Sequence, residues 1–211
     1  MKELLIIGAH GWGREVCDIA KACIKAGMEL TVKGFLDDRT YLLDGYDNYP
    51  PILGSVDSYE IQENDVFVCA LGDVNFKKRY IDTILQRGGS FISLIHPTAI
   101  IGNNATMGTG CIIGAYANLS SDTRIGNFVT ICLRAGLGHD TVVGDYSHIG
   151  GNSCISGYVT IGESVTIHPG CVMVPKRKIG DHAVAGTGSV ILCNVKAGTT
   201  VLGNPATKID I

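Results

Sequence analysis

Two neighbouring residues, His139 and Asp140, carry the sharpest chemical signal in the chain, within the run Leu137-Gly138-His139-Asp140. An imidazole beside a carboxylate can act as a general base, because the carboxylate favours the imidazolium that forms. The competing reading is an exposed histidine on a corner. His148 follows nine residues later. His96 precedes Pro97 at a junction and reads as structural, while His168 and His182 fall at corner positions.

A second candidate lies near the N-terminus. The loop Gly8-Ala9-His10-Gly11-Trp12-Gly13 follows the apolar strand Lys2–Ile7 and precedes a helix expected over Arg14–Ala26. A helix N-terminus of this kind offers backbone N–H groups and a positive dipole to a phosphate. The spacing is G-x-x-G-x-G, not the G-x-G-x-x-G of dinucleotide sites, and the domain is about half the size of a complete dinucleotide fold. The loop therefore points to a phosphate-bearing or sugar-nucleotide ligand, with a purely structural turn as the alternative. Trp12, between two glycines, reads as a sugar-stacking part of the ligand loop, with a packing residue as the alternative. Asp37 and Asp38 end the second strand, where they would accept bonds from sugar or ribose hydroxyls or form a solvated turn. The histidines show no metal-like pairing with cysteines, and no G-x-S-x-G elbow is present.

The elements that must position these residues divide the chain in two. Glycine makes up 28 of 211 residues, with 10 in residues 1–94 and 18 in residues 95–211. In the second part every sixth residue from Ile101 to Ile191 is apolar, and glycine follows in ten of these sixteen repeats. Two residues before each apolar position stands a small or branched side chain, as at Ala99, Ala105, Cys111, Ala117 and Thr123. A period of six fits neither a helix nor a meander; it fits a parallel β-helix of hexapeptide repeats. The large aliphatic points inward, and glycine is expected to relieve the tight turn. Three repeats close a triangular coil of 18 residues, which stacks position 139 between Ser121 and Gly157, and Asp140 between Asp122 and Tyr158. Gly157 would leave open space beside the base for a thin acyl-carrying arm. Cys111, Cys154 and Cys171 fall at or beside interior positions and read as core.

Residues 1–94 alternate strand and helix. Strands are expected at Lys2–Ile7, Val32–Leu36, Val66–Leu71 and Phe91–Ile95, with a second helix over about Asn75–Arg87. This pattern predicts a small Rossmann-like parallel sheet with helices on both faces.

Composition excludes several classes. Seventeen basic and 20 acidic residues give a charge of −3, against any basic face for nucleic acid. No stretch approaches the roughly 18 apolar residues of a membrane span. The N-terminus reads as a strand, not an export signal. Eight cysteines without a CxxC suit a reduced, cytoplasmic protein. Lys176-Arg177-Lys178 is the longest basic run, facing either coenzyme phosphates or water.

Together, the unbroken hexapeptide array, Leu137-Gly138-His139-Asp140 leading into Val143-Gly144-Asp145-Tyr146-Ser147-His148, the strand-end LIIGAHGWG and the tail Gly203-Asn204-Pro205-Ala206 resemble bacterial sugar O- and N-acetyltransferases. These are the sialic acid O-acetyltransferase family and the related nucleotide-aminosugar N-acetyltransferases. The resemblance covers nearly the whole chain. It implies an α/β Rossmann-like sugar-nucleotide domain (1–94) followed by a left-handed parallel β-helix acetyltransferase domain (95–211). It also implies a homotrimer with acetyl-CoA, and no metal, between subunits. His139 matches the general base, with Asp140 raising its basicity. His148 matches the histidine that meets the thioester from the adjacent chain. Gly157, Pro169, Gly186 and Thr187 match the coenzyme channel, and His10, Gly11, Trp12, Asp37, Asp38 and Gly72 the sugar-nucleotide pocket. The reaction so implied is N-acetylation of a nucleotide-linked 4-amino sugar. Its rivals are O-acetylation of sialic acid and a non-catalytic trimeric solenoid that binds a ligand. One departure is Cys132, where many members carry Asn seven residues before the base; bulky His10 and Trp12 in the glycine loop are another.

Overall fold

The computed structural model describes residues 1–210. The chain divides into two compact units, Met1–Pro97 and the residues from Thr98 onward.

The first unit is an α/β domain. Its elements run β1 (Lys2–Ile7), α1 (Gly11–Lys25), β2 (Leu30–Leu36), β3 (Asp65–Cys69), α2 (Val74–Gln86) and β4 (Ser90–Phe91), and the parallel sheet has the order β2-β1-β3-β4. Leu4, Leu5, Ile6 and Ile7 are all buried, as a central parallel strand covered on both faces requires. The segment expected as one last strand is split, with Leu94–Ile95 forming a separate two-residue piece.

Helix α1 starts at Gly11, three residues before the expected Arg14. Its N-cap, His10, makes no side-chain capping bond, so the usual sequence signal for a helix start is missing. Close packing sets the start instead. Gly8 turns the chain at φ +97°, and a Cβ on Gly13 would lie 2.0 Å from the Gly8 carbonyl oxygen. Gly11 and Trp12 therefore belong to the first helical turn, not to a loop.

The second unit is a left-handed parallel β-helix. Its two-residue strands pair with those 18 residues further on, as in Arg124↔Val142↔Thr160 and Gly136↔Cys154↔Val172. From Ile113 to Ile191 every register residue is buried, and Cys111, Ala117, Val129 and Ala135 share the interior. Ile101, in the first coil, is 39% exposed. Cys154 departs from expectation: it immediately precedes a register residue, so strand alternation turns it outward and it is exposed.

The glycines also serve a different purpose from the expected one. The left-handed conformation at each corner falls two residues after the glycine position, at every sixth residue from Asn104 to Gly188, and most of these residues are not glycine. Asp140, Tyr146 and Tyr158 all adopt φ near +60° there. Each such corner costs on the order of 1–3 kcal/mol for a side chain, offset by a bond to the previous coil such as Asp140 N–H to Ser121 O at 3.1 Å. Where glycine follows a register residue it allows adjacent coils to touch: a Cβ on Gly138 would stand 2.4 Å from the Gly157 nitrogen.

The last coil is two residues short. Ile179 pairs with Val195 and Ala185 with Val201, offsets of 16 residues in place of 18. An antiparallel hairpin, Thr200–Gly203 with Ala206–Ile209, follows.

Candidate active site and ligand pocket

In the first domain β1, β2 and β3 end level, with Ile7 opposite both Leu36 and Cys69. The segments leaving these ends enclose a cavity of about 400 Å³, and Gly8, Asp37, Asp38, Asp73, Phe76 and Tyr80 contribute to its lining. Carboxyl ends of parallel strands are where open α/β sheets place ligands.

The two aspartates that follow β2 are not equivalent. Asp37 is buried, and its carboxylate accepts bonds from the Ala9 N–H at 3.1 Å and from the Arg39 N–H and Nε at 3.1 Å each. Burial alone would push its pKa up; the Arg39 guanidinium and these N–H groups outweigh it and hold the carboxyl below the ordinary value. Asp37 thus clamps the glycine turn rather than presenting free lone pairs to a sugar. Asp38 is exposed and accepts from the Tyr80 hydroxyl at 3.1 Å. Burial, then the Asp38 carboxylate, raises the Tyr80 pKa, so the phenol stays a donor. Asp73 caps α2, its Oδ1 accepting from the Asn75 and Phe76 N–H groups.

His10, Gly11, Trp12 and Gly72 do not contribute to the cavity lining, although Gly72 lies between the lining residues Leu71 and Asp73. Arg39, Phe76 and Tyr80 were not legible as site residues. Asp73, an aspartate at the N-cap of α2, carries the helix-start signal that would have pointed to this rim.

On the solenoid, His139 and Asp140 occupy the corner between strands Gly136–Leu137 and Val142–Val143. The His139 Nδ1 stands 2.8 Å from Asp140 Oδ2, with side chains 58% and 41% exposed. With Nδ1–H donating to the carboxylate, Nε2 is left as the basic nitrogen. The ring meets Tyr158 edge-on, with centroids 4.9 Å apart. It also lies over Gly157, where a Cβ would come within 2.7 Å of Nε2. The space expected beside the base is thus filled by the imidazole itself, and Gly157 is what lets the ring settle there.

The other solenoid residues lie elsewhere on the prism. His148 begins the strand His148–Ile149, in register with Thr130 and Thr166 on another face. Its Nε2 is 3.5 Å from the Cys132 sulfur, a pairing not visible in the sequence. Pro169 and Thr187 stack at the next corner, where the Gly188 N–H donates to the Pro169 carbonyl at 2.9 Å. Within one chain, then, His139, Asp140 and Gly157 form one corner group, while His148 lies on another face beside Cys132, and Pro169, Gly186 and Thr187 lie at or beside the corner that follows it.

Comparison with known proteins agrees with this architecture. The PglD N-terminal domain family matches residues 3–84. The acetyltransferase domain of PglB from Neisseria gonorrhoeae FA1090, solved with acetyl coenzyme A, is 29% identical and covers 99% of both chains with a TM-score of 0.88. GDP-perosamine N-acetyltransferase of Escherichia coli O157:H7 is 29% identical over 97% of this chain and 95% of its own length. PerB from Caulobacter crescentus, solved with CoA and GDP-perosamine, shares the fold at a TM-score of 0.90 and 24% identity, covering 100% of this chain and 98% of its own. Residues 3–84 thus match the PglD N-terminal domain family, and the chain as a whole is homologous to GDP-perosamine N-acetyltransferase and to the PglB acetyltransferase domain.

Proposed function

We propose that the protein transfers the acetyl group of acetyl-CoA to the amine of a nucleotide-linked 4-amino sugar. The observation that carries this reading is the His139–Asp140 pair seated over Gly157 on the solenoid, in a chain whose relatives are sugar N-acetyltransferases. The amine attacks the thioester carbonyl and gives its proton to His139 Nε2, while Asp140 stabilises the imidazolium. The developing oxyanion is met by His148 or a solenoid backbone N–H. The carbon–sulfur bond then breaks and CoA leaves as the thiolate. Transfer is direct.

The His139 corner and the face that carries His148 are brought together in a homotrimer, in which His148 of one subunit faces His139 of the next. The coenzyme runs past Gly157, Pro169, Gly186 and Thr187. The nucleotide sits in the cavity of the first domain with Asp38 toward its hydroxyls, and the His10–Trp12 turn toward its phosphates. Acetyl-CoA and nucleotide sugars place the reaction in the cytoplasm.

Release of free thiol from acetyl-CoA tests the reading, with GDP-, UDP- and dTDP-linked 4-amino sugars and free sialic acid as acceptors. Release with one amino sugar is expected. Release with sialic acid alone would make it an O-acetyltransferase, and failure to bind acetyl-CoA would leave a ligand-binding solenoid.

A further inference from the structure

Cys132 occupies the position after a register residue, which is glycine in ten of the sixteen repeats. Its half-buried sulfur lies 3.5 Å from Nε2 of His148 on the next coil. The other thiols differ. Cys17, Cys23, Cys69, Cys111 and Cys171 are buried, and burial pushes the Cys69 thiol up to about 12. Cys154 and Cys193 are exposed, without a hydrogen-bond partner among the described residues. Among the described residues, Cys132 alone pairs a reachable sulfur with an imidazole, the arrangement that activates a thiol as a nucleophile.

We propose that Cys132 is a covalent acyl acceptor, a thiol that His148 activates toward thioesters such as acetyl-CoA. The acyl part rests on the reading above, which brings the thioester to His148. Nε2 takes the Cys132 proton, and the thiolate attacks the carbonyl carbon. A new carbon–sulfur bond forms at Sγ, the bond to the coenzyme sulfur breaks, and CoA departs with the electron pair and takes the proton back from Nε2. One thioester replaces another, so no further reactant is needed. This acylation occurs when no amine is bound, is reversed by CoA thiolate, and is not a step of the direct transfer to the amine.

Two measurements on the whole protein separate the parts. The first uses limiting iodoacetamide and peptide mapping between about pH 6 and 8, below or near the ordinary thiol pKa of about 8.5. Cys132 is expected to label at least tenfold faster than the more exposed Cys154 and Cys193, and His148→Asn to erase that preference while Cys154 labels as before. Equal or slower labelling of Cys132 overturns the pair. The second measurement incubates the protein with acetyl-CoA alone and reads its intact mass. One acetyl group on Cys132, removed by neutral hydroxylamine and absent in Cys132→Ser, is expected. Selective alkylation without S-acetylation, in a protein that still releases thiol with an amino sugar, overturns the acyl acceptor and leaves direct transfer standing. Loss of both S-acetylation and thiol release overturns the two readings together.

Discussion

The two domains hold their chemistry in opposite ways. In the solenoid, framework and candidate site alternate residue by residue: Leu137 is buried, Gly138 touches the next coil, and His139 stands outside on Asp140. In the α/β domain they are separated along the strands. The cavity lies at the carboxyl ends, while Asp65 at the start of β3 gathers Lys33 Nζ at 2.6 Å, the Tyr59 hydroxyl at 2.8 Å and the Gln62 N–H at 2.7 Å. Lys33 also reaches Glu3 at 3.0 Å. A periodic framework lets single exposed residues be exchanged without touching the core. A sheet must instead assemble its site from distant segments, such as Asp38 and Tyr80.

The strongest way to break this comparison is His139→Ala. Losing a general base costs about 10²–10⁴ in rate, and an exposed imidazole contributes little to folding. Turnover should fall by that factor with melting temperature unchanged. A variant that unfolds would show that the exposed corner is part of the framework after all.

Gly138→Ala should do the reverse. The added methyl would meet Gly157 backbone at 2.4 Å, so neighbouring coils must part, at a cost of about 1–3 kcal/mol. Denaturant unfolding is the direct measure; full stability would mean the coils yield freely.

How much of this could be read beforehand follows the same division. The solenoid interior was legible because one six-residue period governs it, and the neighbours of His139 followed by counting 18. What escaped was where the period lapses, as in the shortened last coil, or where it says nothing about outward contacts, as with Cys132 and His148. Cys154 was misread because an outward position adjoins an inward one. In the α/β domain the strands and the sheet were legible, but the start of α1 was not, since packing of Gly13 on Gly8 replaces a capping side chain. The pairing of Asp37 with Arg39 and Ala9 was hidden for a related reason. A carboxylate at a strand end looks the same whether it awaits a ligand or is already engaged.

Asp65→Asn tests the separation within the α/β domain, with an effect on the order of 2 kcal/mol for weakening a mostly buried charge network. Burial alone would raise the Asp65 pKa, but Lys33 and the Gln62 N–H hold it below the ordinary value. Its stabilisation is therefore present above the unfolded carboxylate pKa of about 3.9 and is lost as pH falls through the lower folded value. On the basic side, burial opposes the Lys33 charge, but Asp65 outweighs it and raises the pKa, so that contribution is fully present below the unfolded lysine pKa of about 10.4 and is lost as pH rises through the raised folded value. The wild-type protein should lose this stability below about pH 4, and Asp65→Asn should flatten that limb. The KM for the nucleotide sugar should not move, because the network lies at the opposite strand ends from the cavity. A changed KM would mean the two ends communicate.

Tyr80→Phe is the smallest and most local test. It removes one hydroxyl from Asp38 without altering the ring that helps line the cavity. Asp38 is exposed, so water replaces the lost donor and folding stability should stay within about 0.5 kcal/mol. If the carboxylate is oriented by Tyr80 to receive a ligand hydroxyl, KM for the nucleotide sugar should rise by about three- to tenfold, matching a net hydrogen bond of about 0.5–1.5 kcal/mol. The KM for acetyl-CoA and the turnover number should be unaffected, since the proposed function assigns both to the solenoid. An unchanged sugar KM would remove Asp38 from the binding surface and leave Asp73 and Arg39 as the polar groups of that rim. A fall in turnover alone would be harder on the comparison, since it would tie a residue of the sheet domain to the chemistry of the coil.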